Sequence, residues 1–474
     1  MRILHTSDWH LGKTLEGRSR LPEQEAFIAE LCQIVRDEQV DLVLVAGDIF
    51  DTANPPAAAE QLFYEAVDRL AEGGGRGVVV IAGNHDNPER LCASGPLANR
   101  HGITLLGVPA DSPVIGADMK FPESGTQLRE SGTGEDTQSE ANSKVSIVAG
   151  GPSWLELRVP GCDHNAVIIA LPYPSEARLK ELLVESLDEE ALQQAYSARV
   201  GRIFAQLAAN YRPDTVNLAM SHLFVLGGVE SEGSERPINL GGACTVDPAM
   251  LPGEAQYIAL GHLHRPQKVG GLPVPARYSG SALAYSFSEA GQAKSVVLVD
   301  ALPGQPAAVR EIILSCGYPL VKWQVKGGME EALRWIEEGR DEQAWIDLEL
   351  HLAQPLSNEE NQRLRSLRPQ ILNIRPVLPG MDEELVREQR SHLSIAELFR
   401  RFFAKQTGGG EPDAELVKLF LELVNMEETM EEIEARSDSG VREENEVQGE
   451  NEVHGENEIR KENEVRENPK GVLA

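Results

Sequence analysis

Positive charge is scarce in this chain. Lys and Arg number 44 against 75 Asp and Glu, which gives a formal net charge of −31. A protein that holds nucleic acid by surface charge alone is expected to be basic, so the composition excludes that class. Residues 427–474 carry 16 acidic and 6 basic side chains and so supply −10 of this charge. The remainder is still acidic, so a polyanionic substrate needs bound cations, local basic patches or a partner.

Cysteines and long apolar runs are also scarce. The five cysteines are scattered, odd in number and without a CxxC pair: Cys32, Cys92, Cys162, Cys244 and Cys316. This excludes a disulfide framework and fits a reducing cytoplasm. No stretch approaches the roughly 18 consecutive apolar residues of a membrane span. The first residues, MRILHTSDWHLG, lack the apolar segment of a signal peptide.

The first 110 residues alternate strand and helix signals. RILHTS reads as a strand, a helix is predicted over about Pro22–Asp37, and DLVLVAGD is a continuous apolar run of the buried parallel type. A second helix is predicted over Pro55–Ala71, followed by the buried strand GVVVIAGN. This β-α-β rhythm predicts a parallel sheet with helices packed on its faces.

Residues 111–144 break the rhythm. They are rich in Ser, Gly, Thr and Glu, which predicts a surface insertion. Beyond this insertion, strand signals resume at VSIVAGG, LELRVP and AVIIALPY. A helix is predicted over about Ser175–Tyr211, and three more strand signals follow it at VNLAMSH, YIALGHLH and KSVVLVD.

We divide the chain into four parts. The first part, 1–305, is followed by a small α+β domain over 306–388 with strand and helix signals in β-α-β-α-β order. Two amphipathic helices joined by TGGGEP follow over 389–435. The last part, 436–474, repeats ENEV or ENEI at six-residue spacing and is predicted to be a disordered acidic tail. Such a tail either keeps the protein soluble or binds a partner.

Each of the two C-terminal helices carries an apolar face. The i, i+3, i+4 spacing is seen at Leu393, Ile395, Leu398, Phe399, Phe402 and Phe403, and again at Leu416, Leu419, Phe420 and Leu423. These faces either pack on their own domain or dock on a partner. The Gly-rich linker between the helices favours a partner, because it lets the helices adapt to another surface.

Five apolar strands each end in side chains that can bind metal. The motifs SDWH, GDIFD, GNHD, VNLAMSH and GHLH supply Asp8, His10, Asp48, Asp51, Asn84, His85, Asp86, His222, His262 and His264. Ligands of α/β sheets bind beyond the carboxyl ends of the strands, so these side chains are expected to converge. GDxxD alone could be a turn, but five such motifs in order argue against a purely structural origin.

The donor set is carboxylate, amide oxygen and imidazole without thiolate. It suits Mn²⁺, Fe²⁺ or Zn²⁺ rather than a structural cysteine-zinc site. There are too many ligands for one ion, and a two-metal site needs a bridging group. The carboxylate of Asp48 is the natural bridge, because it has two oxygens.

The order DxH, GDxxD, GNHD, a lone His and GHxH resembles the calcineurin-like metallophosphoesterases. The segments ILHTSDWHLGKTLEG, VAGDIFDTANPP, IAGNHDNPER and LGHLHRPQ further resemble the SbcD family of bacterial nuclease subunits, and the likeness covers roughly 1–110 and 145–430. It implies an α/β fold: a two-sheet α/β sandwich, then a small α+β capping domain and a C-terminal helix pair.

The resemblance also implies roles for the motif residues. One metal ion, most simply Mn²⁺, would be held by Asp8, His10, Asp48 and His264. A second would be held by Asp48, Asn84, His222 and His262. His85 would face the scissile phosphate and protonate the leaving oxygen, with Asp51 orienting its ring. The alternative for Asp51 is a helix-entry or turn residue, and Asp86 suits a structural turn as well as a place near the site.

The family implies a metal-dependent hydrolase that cleaves DNA in recombination, repair and replication, as an ATP-dependent double-strand 3'-5' exonuclease and a single-strand and hairpin endonuclease. Its partners would be DNA, an SbcC-like coiled-coil ABC ATPase on the helix pair, and a second copy through helices near 55–70 and 90–100, in a cytoplasmic, nucleoid-associated heterotetramer. The capping domain would contact DNA. Lys13, Arg18 and Arg90 could bind phosphates or be plain surface charges.

Two alternatives stay open. The same motifs serve phosphodiesterases that act alone on cyclic nucleotides or other small phosphodiesters. A non-catalytic scaffold would be expected to have lost motif residues, and all of them are present here.

Overall fold

A computed structural model describes residues 1–114, 143–175, 189–231, 233–235 and 244–378, together with a few positions between 399 and 420. The chain divides into two compact units, Met1–Pro379 and Gly380–Ala474. Most of the predicted insertion, most of the helix pair and the whole ENEV tail lie outside the described residues, as do 176–188 at the predicted start of the long helix.

The described strands are short and numerous. In chain order they are β1 Arg2–Thr6, β2 Thr14–Leu15, β3 Arg18–Ser19, β4 Leu42–Ala46, β5 Gly77–Ile81, β6 Ile103–Leu106, β7 Ser146–Gly151, β8 Trp154–Arg158, β9 Ala166–Leu171, β10 Val216–His222, β11 Phe224–Val225, β12 Thr245–Val246, β13 Tyr257–Gly261, β14 Gln267–Lys268, β15 Ala276–Tyr278, β16 Ser295–Asp300, β17 Ala308–Ile313, β18 Leu320–Val325, β19 Trp345–His351 and β20 Ile371–Val377. The described α-helices are α1 Leu21–Asp37, α2 Ala57–Ala71, α3 Pro88–Cys92, α4 Gly95–Ala98, α5 Glu189–Ala208, α6 Gly328–Glu337 and α7 Asn358–Leu367.

The first sheet has six strands in the order β17-β16-β1-β4-β5-β6. Strands β1, β4, β5 and β6 are parallel, and β16 and β17 complete one edge in antiparallel pairing. Every residue of β4 and β5 is buried, as expected for parallel strands covered on both faces. The predicted β-α-β rhythm is confirmed, because α1 and α2 connect β1 to β4 and β4 to β5.

The second sheet has seven strands in the order β14-β15-β13-β10-β9-β8-β7. Its inner strands β9, β10, β13 and β15 are parallel, and antiparallel strands close both edges. Leu44 and Ile81 of the first sheet share one apolar cluster with Ile168, Leu218 and Tyr257 of the second. The predicted two-sheet α/β sandwich is therefore confirmed.

Helices cover the outer faces of the sandwich. Phe27 and Leu31 lie four residues apart on α1 and face the first sheet together with Phe63 of α2. Tyr196 and Phe204 of α5 cover the second sheet. Each sheet therefore has its helices on one face and the other sheet on the opposite face.

The small domain has the predicted order β18-α6-β19-α7-β20, and its three strands are parallel. Helix α7 begins with a capping box, in which the Ser357 side chain accepts from Glu360 and the Glu360 side chain accepts from Ser357. Trp323, Ile346 and Leu364 belong to a core of its own.

The first sheet extends past the predicted boundary at 305/306. Strand β17 pairs with β16 over its whole length, from Ala308 opposite Asp300 to Ile313 opposite Ser295. Residues 308–313 therefore belong to the sandwich, because an antiparallel hairpin returns the chain along the sheet edge before the small domain begins.

The described residues contain neither a disulfide bond nor a membrane-spanning helix. All five cysteines are free. Among the described residues, no helix is both long enough and apolar enough to cross a membrane.

Candidate metal centre

The structure brings the predicted metal ligands together where five strands end. The loops after β1, β4 and β5 of the first sheet meet the ends of β10 and β13 of the second. The side chains that converge here, all buried except the half-buried Asn84, are Asp8, His10, Asp48, Asn84, His85, His222, His262 and His264. The strand-end motifs therefore form one site, as the sequence predicted.

One group of donors centres on His10. Its Nε2 lies 2.9 Å from Nε2 of His264 and 3.7 Å from Oδ2 of Asp48. Asp8, His10 and His264 each offer a ligand atom within 4.8 Å of the others. This arrangement is compact enough to surround one cation.

A second group centres on Asn84. Its Oδ1 lies 2.9 Å from Nε2 of His222 and 3.1 Å from Nδ1 of His262. The Oδ2 atom of Asp48 is 3.4 Å from His222 Nε2, and so the same carboxylate oxygen approaches both groups. Asp48 therefore lies between the two groups of donors.

Glycines allow the strand ends to approach this closely. A Cβ atom on Gly83 would lie 2.1 Å from Oδ1 of Asp48, and one on Gly261 would lie 1.8 Å from the carbonyl oxygen of Ala46. These glycines precede the ligands in GNHD and GHLH, and only a residue without a side chain fits there.

Backbone strain is concentrated in the same place. Asp8, His10, Asp48 and His262 all have positive φ angles, of 52°, 45°, 50° and 106°. Non-glycine residues avoid this region, and such outliers persist where the surrounding structure enforces them, often at functional sites.

Electrostatics favour the charge state of a metal ligand at three of these groups, Asp48, His262 and His10. Burial opposes ionisation of Asp48, yet the neighbouring His222 and His85 hold the pKa of Asp48 well below its usual range. Burial lowers the pKa of His262 to about 3 and that of His10 well below its usual value, so both rings are neutral. Neutral imidazole and ionised carboxylate are the forms that bind metal.

The residues present fit divalent cations. His222 Nδ1 donates to the carbonyl oxygen of Ala46 at 2.9 Å. The other ring nitrogen, Nε2, then carries a lone pair and faces Asn84 Oδ1, which is also an acceptor. Two acceptors at this distance need a cation between them, either a proton or a metal ion. Asp48, against the effect of burial, raises the pKa of His222 to about 9, so a proton fills this need in the metal-free site. Among the described residues, the buried Nε2 of His262 has no hydrogen-bond partner.

His85 is held differently from the prediction. Its Nδ1 lies 2.7 Å from the backbone carbonyl oxygen of Asp51, not from the carboxylate. The carboxylate of Asp51 instead accepts from Lys13 Nζ at 2.7 Å and lies 3.6 Å from His10 Nδ1. Residue 51 does orient His85, but through its main chain, because the turn after β4 directs the carbonyl group toward the ring.

Asp86 has the structural role that was one of its two alternatives. Its carboxylate accepts backbone hydrogen bonds from Ile49 at 3.1 Å, Phe50 at 2.9 Å and Gly83 at 2.8 Å. It therefore ties the loop after β4 to the loop after β5, and these loops carry Asp48, Asn84 and His85.

Sequence reasoning missed a polar network behind His264. Ser234 Oγ lies 2.6 Å from His264 Nδ1 and hydrogen-bonds Glu289, which pairs with Lys294. These residues stand in loop-like stretches, SEGSER and SFSEAGQAK, with no recognisable motif.

Two of the three basic residues considered for phosphate binding already pair with acids. Lys13 binds Asp51, and Arg90 binds Glu60 at 2.7 Å. Arg18 lies exposed on β3.

Comparison with known proteins identifies the class. Residues 1–266 match the family described as calcineurin-like phosphoesterase, which is more than half of the chain. Residues 316–407 match the family described as type 5 capsule protein repressor C-terminal domain. The fold, the site and these matches define a metal-dependent phosphoesterase, a hydrolase of phosphate ester bonds.

The comparison with curated proteins is more specific. The chain is 48% identical over 425 residues to the SbcD subunit of nuclease SbcCD from Bacillus subtilis (strain 168), covering 90% of this chain and 98% of the relative. It is 35% identical over 331 residues to the SbcD protein of Rhodobacter capsulatus (69% and 72% covered), and 30% identical over 423 residues to that of Escherichia coli K12 (85% and 93%). The chain belongs to the SbcD family of nuclease subunits.

Proposed function

We propose that this chain cleaves DNA phosphodiester bonds as the nuclease subunit of a complex with an SbcC-like coiled-coil ABC ATPase. The observation that carries the proposal is the extent of the likeness: it covers 98% of the Bacillus subtilis nuclease subunit, beyond the phosphoesterase fold into the small domain. A phosphodiesterase of small molecules needs neither this domain nor a terminal helix pair.

The proposed ligands fall into two sets that share Asp48. One ion is assigned to Asp8, His10, Asp48 and His264, and the other to Asp48, Asn84, His222 and His262. The short distances from Asp48 Oδ2 to His10 and His222 support the shared ligand. The oxygen and nitrogen donors suit Mn²⁺, which we propose as the metal. Bound divalent ions supply the Lewis acidity that activates water and neutralises phosphodiester charge.

His85 is the proposed general acid. The Asp51 carbonyl binds Nδ1, which makes Nε2 the nitrogen on the side of Asp48, 3.9 Å from its Oδ2. In this position His85 can stabilise the developing charge and protonate the leaving oxygen. The backbone N–H of His85 also donates to Asp48 Oδ1 at 2.9 Å, which fixes the ring relative to the ligands.

The small domain is proposed to contact DNA as a cap. It is attached to the sandwich through Glu23 of α1, whose carboxylate accepts from Trp345 Nε1 at 2.9 Å and from the backbone of Tyr318 at 2.7 Å. These hydrogen bonds give the small domain a defined position on the sandwich. The acidic balance of the chain is compatible with DNA binding if the ATPase supplies much of the positive surface.

The helix pair is the proposed docking site of the ATPase. In the second unit, the rings of Phe399 and Phe420 stack with centroids 4.1 Å apart, and Phe403 lies 6.2 Å from Phe399. These contacts support packing of part of one predicted helix's apolar face against the other helix. Of the other apolar positions, Leu416 is half-buried. The rest lie outside the described residues: Leu393, Ile395, Leu398, Phe402, Leu419 and Leu423.

We also propose a homodimer through the segments near 55–70 and 90–100, within a heterotetramer. Both segments expose apolar surface that a second copy could cover: Tyr64 is 39% exposed and Leu97 is 66% exposed. The proposed activities are ATP-dependent 3'-5' exonuclease action on duplex ends and endonuclease action on hairpins, in recombination, repair and replication in the cytoplasm at the nucleoid.

The experiment measures Mn²⁺-dependent cleavage of an end-labelled linear duplex and a DNA hairpin, with and without a coiled-coil ATPase partner and ATP. The variants are His85→Ala and, as the matched control, His101→Ala, which removes an exposed histidine outside the site. We expect ATP-stimulated cleavage that falls about 10²–10⁴-fold in His85→Ala and is unchanged in His101→Ala. No DNA cleavage, with brisk hydrolysis of bis-p-nitrophenyl phosphate, would contradict the proposal and leave a phosphodiesterase that acts alone.

A further inference from the structure

A buried ion pair lies directly behind His264. Glu289 is fully buried, Lys294 is 8% exposed, and their side chains are in contact. Lys294 Nζ also donates to the carbonyl oxygen of His264 at 2.8 Å and to Ser281 Oγ at 2.9 Å. Removing two charges from water costs about as much free energy as their attraction in the interior returns. A contribution to stability alone therefore does not explain this ion pair.

The ion pair reaches the imidazole of His264 through one hydroxyl group. Ser234 Oγ hydrogen-bonds a carboxylate oxygen of Glu289 and lies 2.6 Å from His264 Nδ1. An ionised carboxylate can only accept, so the serine hydroxyl donates to Glu289, and its oxygen accepts from His264 Nδ1. This places the ring proton on Nδ1 and the lone pair on Nε2, the atom that faces His10 Nε2 at 2.9 Å.

The backbone of His264 is fixed as well. Its N–H donates to Glu235 Oε1 at 2.9 Å, and the other Glu235 oxygen accepts from the Ser231 N–H at 2.8 Å. Its carbonyl oxygen is held by Lys294. The N–H, the carbonyl group and the Nδ1 of His264 are therefore all hydrogen-bonded, and these contacts lead to the carboxylates of Glu235 and Glu289.

The neighbouring histidines use a simpler arrangement. His222 and His85 each place Nδ1 against a backbone carbonyl oxygen, that of Ala46 and that of Asp51. A hydroxyl backed by a carboxylate places negative charge behind the ring and raises the basicity of the ligand more than a neutral carbonyl does.

We propose that Glu289, acting through Ser234 and held in place by Lys294, is the positioning residue of His264 and sets the metal affinity of the site that His264 joins. The inference rests on the proposed role of His264 as a metal ligand. Its consequence is that the metal affinity depends on a serine, a glutamate and a lysine that do not themselves contact the metal.

The test is calorimetric titration of the metal-free protein with Mn²⁺. Ser234→Ala removes the hydroxyl and keeps the ion pair, and we expect about 10- to 100-fold weaker binding at one of the sites. Ser234→Thr restores the hydroxyl and is expected to restore the affinity. Glu289→Gln keeps an acceptor oxygen but loses the charge, so an intermediate loss is expected. The matched control is Glu156→Gln, which alters a buried carboxylate paired with Arg212 away from the site and should bind Mn²⁺ like the native chain.

A second measurement needs no metal and no activity. The NMR spectrum of ¹⁵N-histidine-labelled, metal-free protein distinguishes an Nδ1-protonated ring from an Nε2-protonated one, with His264→Gln used to assign the resonance. We expect the Nδ1 form in the native chain and in Ser234→Thr, and a shift toward the Nε2 form in Ser234→Ala. Circular dichroism confirms that each variant is folded.

The outcomes separate this inference from the proposed function. Native Mn²⁺ affinity in both Ser234→Ala and Glu289→Gln, or an unchanged tautomer in Ser234→Ala, would overturn the inference even if the protein cleaves DNA. Weaker Mn²⁺ binding and a changed tautomer would support it even if DNA is not the substrate.

Discussion

Asp86 connects the two loops that carry the central part of the metal centre. Its buried carboxylate, 2% exposed, accepts backbone hydrogen bonds from Ile49 and Phe50 after β4 and from Gly83 after β5. Replacement of Asp86 leaves backbone donors buried without an acceptor, and we predict a loss of stability that grows with the number of donors stranded.

The magnitude follows from the geometry. In Asp86→Asn, the amide oxygen can still accept from Ile49 N–H and Gly83 N–H, which both bind Oδ2 of the native carboxylate. The NH₂ group then takes the place of Oδ1 and faces the Phe50 N–H, so this one donor loses its acceptor. A buried unsatisfied donor costs about 1–3 kcal/mol. Asp86→Ala strands all three donors, which corresponds to about 3–9 kcal/mol by the same scale. A loss of that size is comparable with the whole stability of about 5–15 kcal/mol of a typical domain.

The assay is urea unfolding in the presence of a chelator, followed by circular dichroism, so that metal binding does not contribute. Asp51→Asn is the matched control, because it makes the same chemical change in the adjacent loop, where the carboxylate is 26% exposed and pairs with Lys13. Such a partly exposed ion pair is worth about 0–1 kcal/mol. If Asp86→Asn unfolds at the same urea concentration as Asp51→Asn, Asp86 does not hold the two loops together.

Three further predictions follow from other contacts. Gly261→Ala places a Cβ atom 1.8 Å from the Ala46 carbonyl oxygen. The variant should therefore contain less Mn²⁺ per chain than the native protein, measured by elemental analysis, and its free energy of unfolding should be lower by at least about 1–3 kcal/mol. Trp345→Phe removes a hydrogen bond to the Glu23 carboxylate worth about 1.5–3 kcal/mol, and should lower duplex cleavage while hydrolysis of a small phosphodiester stays constant. Hydrogen bonds from Arg212 hold the pKa of Glu156 below its usual range. The Glu156 carboxylate therefore contributes its full stabilisation above about pH 4.3, the pKa of an unfolded Glu, and loses it as the pH falls through the lower pKa of the folded state. The gap in thermal midpoint between the native chain and Glu156→Gln should therefore shrink in acid, and a gap that does not change with pH would contradict this.

Much of the fold could be predicted because its signals are local. The apolar runs that became β4 and β5, and the helices α1 and α2, are each defined within a few residues of sequence. The convergence of the candidate ligands was predictable for a similar reason: parallel strands deliver the residues after their carboxyl ends to one edge of a sheet.

Features built from distant residues were not predictable. Ser234, Glu289 and Lys294 meet His264 only after the second sheet has formed, and no periodicity or motif links them in the sequence. The contact between Asp51 and His85 was predicted, but sequence patterns do not distinguish a side-chain acceptor from a main-chain one. The pairing of β17 with β16 joins residues 308–313 to the first sheet, and no local pattern in the sequence indicates this contact.

The proposed function depends on two metal ions that the strand-end side chains hold and that share Asp48. The most direct test is the number of Mn²⁺ ions bound per chain, measured by elemental analysis and calorimetry on the native protein and on Asp48→Asn. We predict two ions in the native chain and the loss of both in Asp48→Asn, because the Asp48 carboxylate approaches both groups of ligands. A single ion in the native chain, or two ions retained by Asp48→Asn, would contradict the shared two-metal site.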